Sequence, residues 1–105
     1  MGLEPLNTSI YKYFHPQLPP SSIDGLPGWF QLINMCHAEL VALDPEYVIM
    51  QIKDKFGGMR YYISSEMVLD DELGGIYSVI GKYEALSFTT DIKTGERISV
   101  DWGDE

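Results

Sequence analysis

The side chains most able to perform nucleophilic or acid–base chemistry are Cys36, His15 and His37. Such chemistry needs a nucleophile or base beside a group that orients it. His15 precedes a proline, and His37 lies next to the apolar positions of a helical pattern, so neither belongs to a recognisable catalytic motif. Cys36 lies on those apolar positions, with no neighbouring cation that would lower its thiol pKa. We expect a buried Cys36, a His37 on the helix surface, a His15 in a loop, and no enzymatic activity.

Metal and cofactor sites are also disfavoured by the residues present. One cysteine and two histidines are too few for the usual four-ligand structural zinc sites, and a single cysteine excludes an internal disulfide. The pairs Gly57-Gly58 and Gly74-Gly75 lack the spacing of a P-loop or a dinucleotide-binding fingerprint. We expect no cofactor and no bound metal, with the first glycine pair in a turn and the second at a helix kink.

A basic and aromatic group in the middle of the chain could form a platform on which nucleic-acid bases stack. It comprises Lys53, Lys55, Phe56, Arg60, Tyr61 and Tyr62. Asp54 lies within it, and the net charge of −9, from 16 acidic and 7 basic residues, repels phosphate backbones and anionic lipid headgroups. A solvated strand face with internal ion pairs is the favoured interpretation, with no direct nucleic-acid or membrane partner.

Most of the negative charge lies in residues 66–105, which carry ten acidic and three basic residues. One interpretation is a helix start that favours acids, followed by a frayed, solubilising tail. The other is an electrostatic docking surface for a basic protein, with aromatic anchors beside the acids. The residues predicted to contact such a partner are Asp70, Asp71, Glu72, Tyr77, Asp91, Glu96, Asp101, Trp102, Asp104 and Glu105.

The elements that would position these residues can be read from proline content and hydrophobic spacing. Residues 1–26 contain four prolines and predict an extended, partly packed arm with room for a short helix at 10–14. Residues 27–43 predict a helix that Asp44-Pro45 ends, because apolar residues recur at spacings of three and four. The buried stripe of this helix comprises Trp29, Leu32, Ile33, Cys36, Leu40 and Leu43.

The remaining sequence alternates between strand and helix patterns. Residues 47–53 and 59–64 predict a β-hairpin, and residues 67–87 predict a second helix that is kinked or begins near its glycine pair. A second hairpin is predicted from 88–92 and 97–102. The expected fold is a single α+β domain over residues 1–105, with two helices packed on an antiparallel sheet built from two hairpins. The Pro-rich arm precedes a core formed by residues 27–105.

Two segments resemble a family of small phage and bacterial proteins. Residues 27–33 read PGWFQLI and residues 51–62 read QIKDKFGGMRYY, similar to the family's GWFxLI helix and QIKEKFGxLRFY hairpin. Residues 84–87, EALS, are similar to its later E-x-x-S, and Trp102 to its later tryptophan. Phage members carry paired cysteines after that serine, suggesting a zinc knuckle, whereas residues 88–96 contain none. The resemblance therefore implies a shared structural signature, without a metal or catalytic residues.

By size and charge the chain is also similar to immunity proteins of contact-dependent or polymorphic toxin systems. The leading hypothesis is a cytoplasmic, non-catalytic inhibitor that binds a cognate basic toxin, such as a ribonuclease, and places carboxylates where phosphates would lie. The alternative is a phage accessory protein, either one that antagonises a host nucleic-acid-binding factor by charge mimicry or a structural remnant of the zinc-bearing family. No apolar run is long enough to cross a membrane, and residues 1–25 lack the pattern of a secretion signal.

Overall fold

The computed structural model describes residues 4–17, 20–66 and 75–98. Three short 3-10 helices, Thr8–Tyr13, Pro20–Gly25 and Pro27–Trp29, precede helix α1, Phe30–Leu43. Strands β1, Val48–Lys55, and β2, Gly58–Ser64, form an antiparallel two-stranded sheet, and helix α2 is Ile76–Ser87. The expected α+β class is therefore confirmed. None of the described helices is long and apolar enough to cross a membrane.

The first predicted helix is present, but it begins with a 3-10 turn at Pro27–Trp29. Proline suits a first turn because the N–H it lacks would have no partner there. The helix ends at Leu43, and the N–H of the capping residue Asp44 donates to the Leu40 carbonyl at 2.8 Å. The predicted stripe is buried except at its last member, Leu43, which is 39% exposed in the final turn.

The first predicted hairpin is confirmed by strands β1 and β2. Lys55 pairs with Gly58, so the two strands are joined by a two-residue turn of Phe56 and Gly57. Both turn residues have positive φ, 57° and 88°. This matches the φ signs of a type I′ turn, whose twist suits adjacent antiparallel strands. A register shift between Ile49 and Gln51 interrupts the ladder near its open end.

The second predicted hairpin is present within the described residues as one antiparallel bridge, between Thr90 and Arg97. The Ile98 N–H also donates to the Thr89 carbonyl at 2.8 Å across the same turn. The first segment is shorter than predicted because the N–H groups of residues 88–90 donate back to carbonyls of residues 85–87 and continue the turns of α2. The predicted start of the second helix, residues 67–74, and the end of the predicted hairpin, residues 99–102, lie outside the described part of the chain.

The N-terminal region contributes to the core instead of forming an extended arm. The short helix expected at 10–14 is found as the 3-10 helix Thr8–Tyr13. Phe14 bridges to Ile49, and His15 donates its N–H to the Ile49 carbonyl at 2.9 Å. Among the described side chains of this region, four are buried with those of α1, the hairpin and α2: Ile10, Phe14, Ile23 and Leu26.

Candidate protein-interaction site

Three of the ten residues predicted to contact a partner lie in the described part of the chain: Tyr77, Asp91 and Glu96. Tyr77 is 53% exposed in the first turn of α2. Asp91 and Glu96 lie together in the turn that follows α2, where the Asp91 N–H donates to the Glu96 carbonyl at 2.8 Å. The structure thus joins Asp91 to Glu96 and separates both from Tyr77 by about 15 Å of helix.

The other seven residues predicted to contact a partner lie outside the described residues. They are Asp70, Asp71, Glu72, Asp101, Trp102, Asp104 and Glu105.

The Asp91 carboxylate is fixed in place by its own turn. One of its oxygens accepts from the N–H groups of Lys93 at 2.8 Å and Thr94 at 2.9 Å. These backbone hydrogen bonds, that of Thr94 first, lower the pKa of Asp91 below its ordinary value. Gly95 donates its N–H to the Asp91 carbonyl at 2.8 Å and closes the turn. At neutral pH this half-buried carboxylate therefore presents a negative charge in a defined position.

The start of the first helix holds this turn against the body of the molecule. Gly28 donates its N–H to the Ile92 carbonyl at 2.6 Å, and the Trp29 indole N–H donates to the Thr90 carbonyl at 2.9 Å. A Cβ added to Gly28 would lie 2.0 Å from the Asp91 carbonyl oxygen. Only glycine allows the two backbone segments to approach this closely. The sequence did not reveal this contact, because it joins segments about 60 residues apart.

A groove of about 190 Å³ separates this turn from the tip of the hairpin. Two carboxylates, those of Asp54 and Asp91, lie along it beside apolar side chains. Asp54 also accepts a backbone hydrogen bond, from the Gly57 N–H at 3.0 Å, so both carboxylates are held by turns. The residues lining the groove are Trp29, Asp54, Gly57, Phe88, Thr90, Asp91, Ile92 and Ile98. Sequence reasoning identified Asp91 here and missed the others, since it assigned Phe88 and Ile98 to strands.

Helix α2 covers the outer edge of strand β2 with polar side chains. The Met59 N–H donates to the Ser87 hydroxyl at 2.7 Å, and the Tyr61 N–H donates to the Glu84 carboxylate at 2.9 Å. Arg60 lies 3.7 Å from the same carboxylate. An edge strand would otherwise present free N–H groups to other chains. Glu84 and Ser87 of the E-x-x-S segment thus accept hydrogen bonds from the edge of the hairpin and hold α2 against it. Arg60 forms one of the internal ion pairs that the sequence predicted for the basic group.

The two lysines of the basic group lie beside aromatic rings. The Lys53 ammonium is 5.9 Å from the centre of the Tyr62 ring, and that of Lys55 is 5.9 Å from the centre of the Phe56 ring. Phe56 is 91% exposed, and Tyr62 is 42% exposed. This part of the hairpin therefore presents a basic and aromatic surface next to the acidic groove.

His37 is buried, which corrects the prediction of a surface position. It is 4% exposed, its Nδ1 lies 2.6 Å from the Tyr47 hydroxyl, and the Tyr13 ring packs edge-on at 4.6 Å. Burial lowers the pKa of the imidazole below its ordinary value of 6.5. A signal in the sequence was available, because His37 lies four residues after Ile33 and three before Leu40, which is the spacing of the buried stripe.

Cys36 is buried as predicted, with no exposed surface. Desolvation is the main cause that raises the pKa of its thiol well above the ordinary value, and Glu39 adds to the effect. The thiolate needed for nucleophilic attack or metal binding is therefore disfavoured at neutral pH.

Across residues 4–17, 20–66 and 75–98, no three histidine, cysteine, aspartate or glutamate side chains converge in a way that would hold a metal ion. The fixed carboxylates along an apolar groove are suited to a cationic side chain with an apolar stem. No family model, curated protein or solved structure matches this chain.

Proposed function

We propose that this chain is a non-catalytic acidic binding protein, an immunity protein that neutralises a cognate basic toxin domain in the cytoplasm. The toxin class that best fits the charge is a nuclease of the contact-dependent type, such as a ribonuclease. The inhibitor would place its carboxylates against the toxin's own substrate-binding groove, at the positions where that groove otherwise binds the phosphates of the substrate.

The observation that carries this proposal is the pair of fixed carboxylates along the groove. A lysine or arginine side chain of the toxin can lay its apolar stem against Phe88 and Ile98 and place its charged head near Asp54 and Asp91. Because backbone N–H groups already hold both carboxylates, binding immobilises fewer rotatable bonds than it would with free side chains. Such preorganised sites favour tight and specific binding.

Charge over the whole chain supports the same partner. A net charge of −9 on 105 residues attracts a basic protein at long range and repels nucleic acids. The groups most able to react are also poorly placed for catalysis, since Cys36 is fully buried and His37 is hydrogen-bonded inside the molecule. Both features support inhibition by binding.

The test begins with capture of the partner from the native organism, followed by expression of that partner in cells that also produce this chain. We expect the partner alone to stop growth and the chain to restore it. The charge variant is Asp91→Asn, which keeps a side-chain oxygen for the turn. It should bind at least about tenfold less tightly, since a hydrogen bond to a charged group contributes about 1.5–3 kcal/mol.

The matched control is Glu46→Gln combined with Glu66→Gln, which removes two carboxylates at the open end of the hairpin, far from the groove. This control should bind as the wild type does. Absence of growth protection would contradict the immunity function, and capture of a host nucleic-acid-binding protein without protection would favour a charge-mimicking antagonist. Equal weakening in the variant and the control would mean that the groove is not the interface.

A further inference from the structure

We propose that the hairpin tip is a self-association element, in which Phe56 of one copy inserts into the acidic, apolar groove of a second copy and receives that copy's Phe56 in return. The inference goes beyond the proposed function, because the contact forms between isolated copies of this chain and needs no toxin.

Phe56 has properties that do not serve the hairpin itself. Its φ of 57° places a bulky residue in the left-handed region, where asparagine or glycine is preferred at this turn position. Its side chain is 91% exposed, and its one described ring interaction is with the Lys55 ammonium. A bulky residue held at positive φ with its ring in water is the feature of the tip from which we argue this contact.

The groove is large enough for that ring. Its volume of about 190 Å³ exceeds that of an engineered apolar cavity of roughly 150 Å³ that accepts benzene. Phe88, Ile92 and Ile98 supply apolar walls, and Ile98 is 39% exposed. Gly57 lines the groove, so the protruding ring and the receiving groove lie side by side on one chain. Adjacent, complementary features are what a two-fold symmetric contact requires.

Charge at the hairpin tip also suits a second copy of this chain. Lys53 and Lys55 flank Phe56, and their cationic side chains favour an acidic partner surface. The groove of another copy offers Asp54 and Asp91, so that a Lys55 ammonium could approach a carboxylate when Phe56 enters. The net charge of −9 on each copy opposes association. We therefore expect a weak, transient dimer with an interface below about 1,200 Å².

The experiment is sedimentation equilibrium of the full chain from about 10 μM to about 1 mM, the range in which weak interfaces populate dimers. The wild type should form a dimer over this range. Phe56→Asn suits the turn and should keep the fold while weakening self-association at least tenfold. Tyr77→Asn, which alters an exposed aromatic residue on α2, should leave self-association unchanged.

Complementation tests the reciprocal contact. Ile98→Asp blocks the groove but keeps Phe56, whereas Phe56→Asn keeps the groove but lacks the ring. Each variant alone should be monomeric, and a mixture of the two should form a mixed dimer through the one remaining contact. Self-association of Phe56→Asn equal to that of the wild type would overturn the proposal. The proposal would also be overturned if the wild type stayed monomeric and only the Trp102→Ala variant formed a dimer. That result would mean that residues 99–105 of the same chain occupy the groove in the wild type.

Discussion

The imidazole of His37 belongs to a chain of three buried polar groups. Its Nδ1 lies 2.6 Å from the Tyr47 hydroxyl, which lies 2.8 Å from the Tyr61 hydroxyl. If Tyr61 donates to Tyr47 and Tyr47 donates to His37, every hydroxyl hydrogen has an acceptor. In the reverse direction the Tyr61 hydrogen would have no acceptor among the described residues. The first arrangement requires a neutral imidazole with its hydrogen on Nε2.

This arrangement predicts a loss of stability at mildly acidic pH. Burial lowers the pKa of His37 below 6.5. As the pH falls below about 6.5, the unfolded chain therefore binds a proton at His37 while the folded chain still keeps the imidazole neutral. The free energy of unfolding, measured by urea denaturation between about pH 7.5 and 5, should therefore fall, with a slope approaching about 1.4 kcal/mol per pH unit. The carboxylates of Glu39 and Asp91 have lowered pKa values and lose their contributions only in more acidic solution.

His37→Gln removes the titrating group and should flatten this slope, whatever its effect on stability at pH 7.5. His15→Gln is the comparison variant, because it removes the other histidine, which lies outside this buried chain of polar groups. An equally steep slope in His37→Gln would show that another group is responsible.

Adjacent residues show how far single positions could be predicted from the sequence. The burial of Cys36 was predicted correctly because a small apolar side chain on the buried stripe of α1 is most stable in the core. His37 was predicted wrongly because a polar side chain can be buried only if it finds partners, and those partners, Tyr13 and Tyr47, come from other elements. Spacing placed His37 beside the core, but it could not reveal the hydroxyl that satisfies its ring.

The turn at 91–95 is held in place by the start of the first helix. Replacing Gly28 by alanine would place a Cβ 2.6 Å or less from the backbone of Asp91, Ile92 and Gly95, and backbone atoms cannot move aside as a flexible side chain can. We expect Gly28→Ala to lower the free energy of unfolding by at least about 2 kcal/mol, within the range for overpacking. Chemical denaturation measures this change.

Gly81→Ala is the matched control for that substitution. Gly81 lies inside α2, and an added Cβ would meet no atom within 4 Å. Because alanine favours a helix by about 1 kcal/mol over glycine, this variant should be more stable than the wild type. Wild-type stability in Gly28→Ala would mean that the turn does not pack against the helix start as described.

The same contact explains which elements could be predicted. The first hairpin depends on its own turn and on local alternation of side chains, both of which are visible in the sequence. The second was predicted from similar local signals, and its described part is limited to one bridge because residues 88–90 extend the end of α2, while Gly28 and Trp29 hold the following turn. Interactions between distant segments override such local preferences.

At the scale of the whole molecule, some of the acidic residues are engaged within the fold. Glu39 pairs with Lys82 at 3.0 Å, and Glu84 pairs with Arg60 at 3.7 Å. Two of the seven basic residues thus form ion pairs within the described fold. The net charge of −9 still determines the long-range electric field of the molecule. If the proposed function is correct, this field should control how fast the basic partner arrives.

We therefore predict that the association rate constant with the basic partner falls at least tenfold as salt rises from about 0.01 M to about 0.15 M, because the screening length shortens from about 30 Å to about 8 Å. The dissociation rate should change less, since it depends on contacts already formed. Stopped-flow or biosensor kinetics at several salt concentrations would measure both rates.

Two sets of charge-neutralising substitutions, both outside the described residues, test which acids supply the field. They are Asp70→Asn, Asp71→Asn and Glu72→Gln in one variant, and Asp101→Asn, Asp104→Asn and Glu105→Gln in the other. Each should slow association, and the melting temperature of each variant is measured as the control for folding. Trp102→Ala should chiefly raise the dissociation rate if the indole is a buried anchor at the interface. If association did not depend on salt and both charge variants kept full affinity, docking through the acidic residues of 66–105 would be refuted.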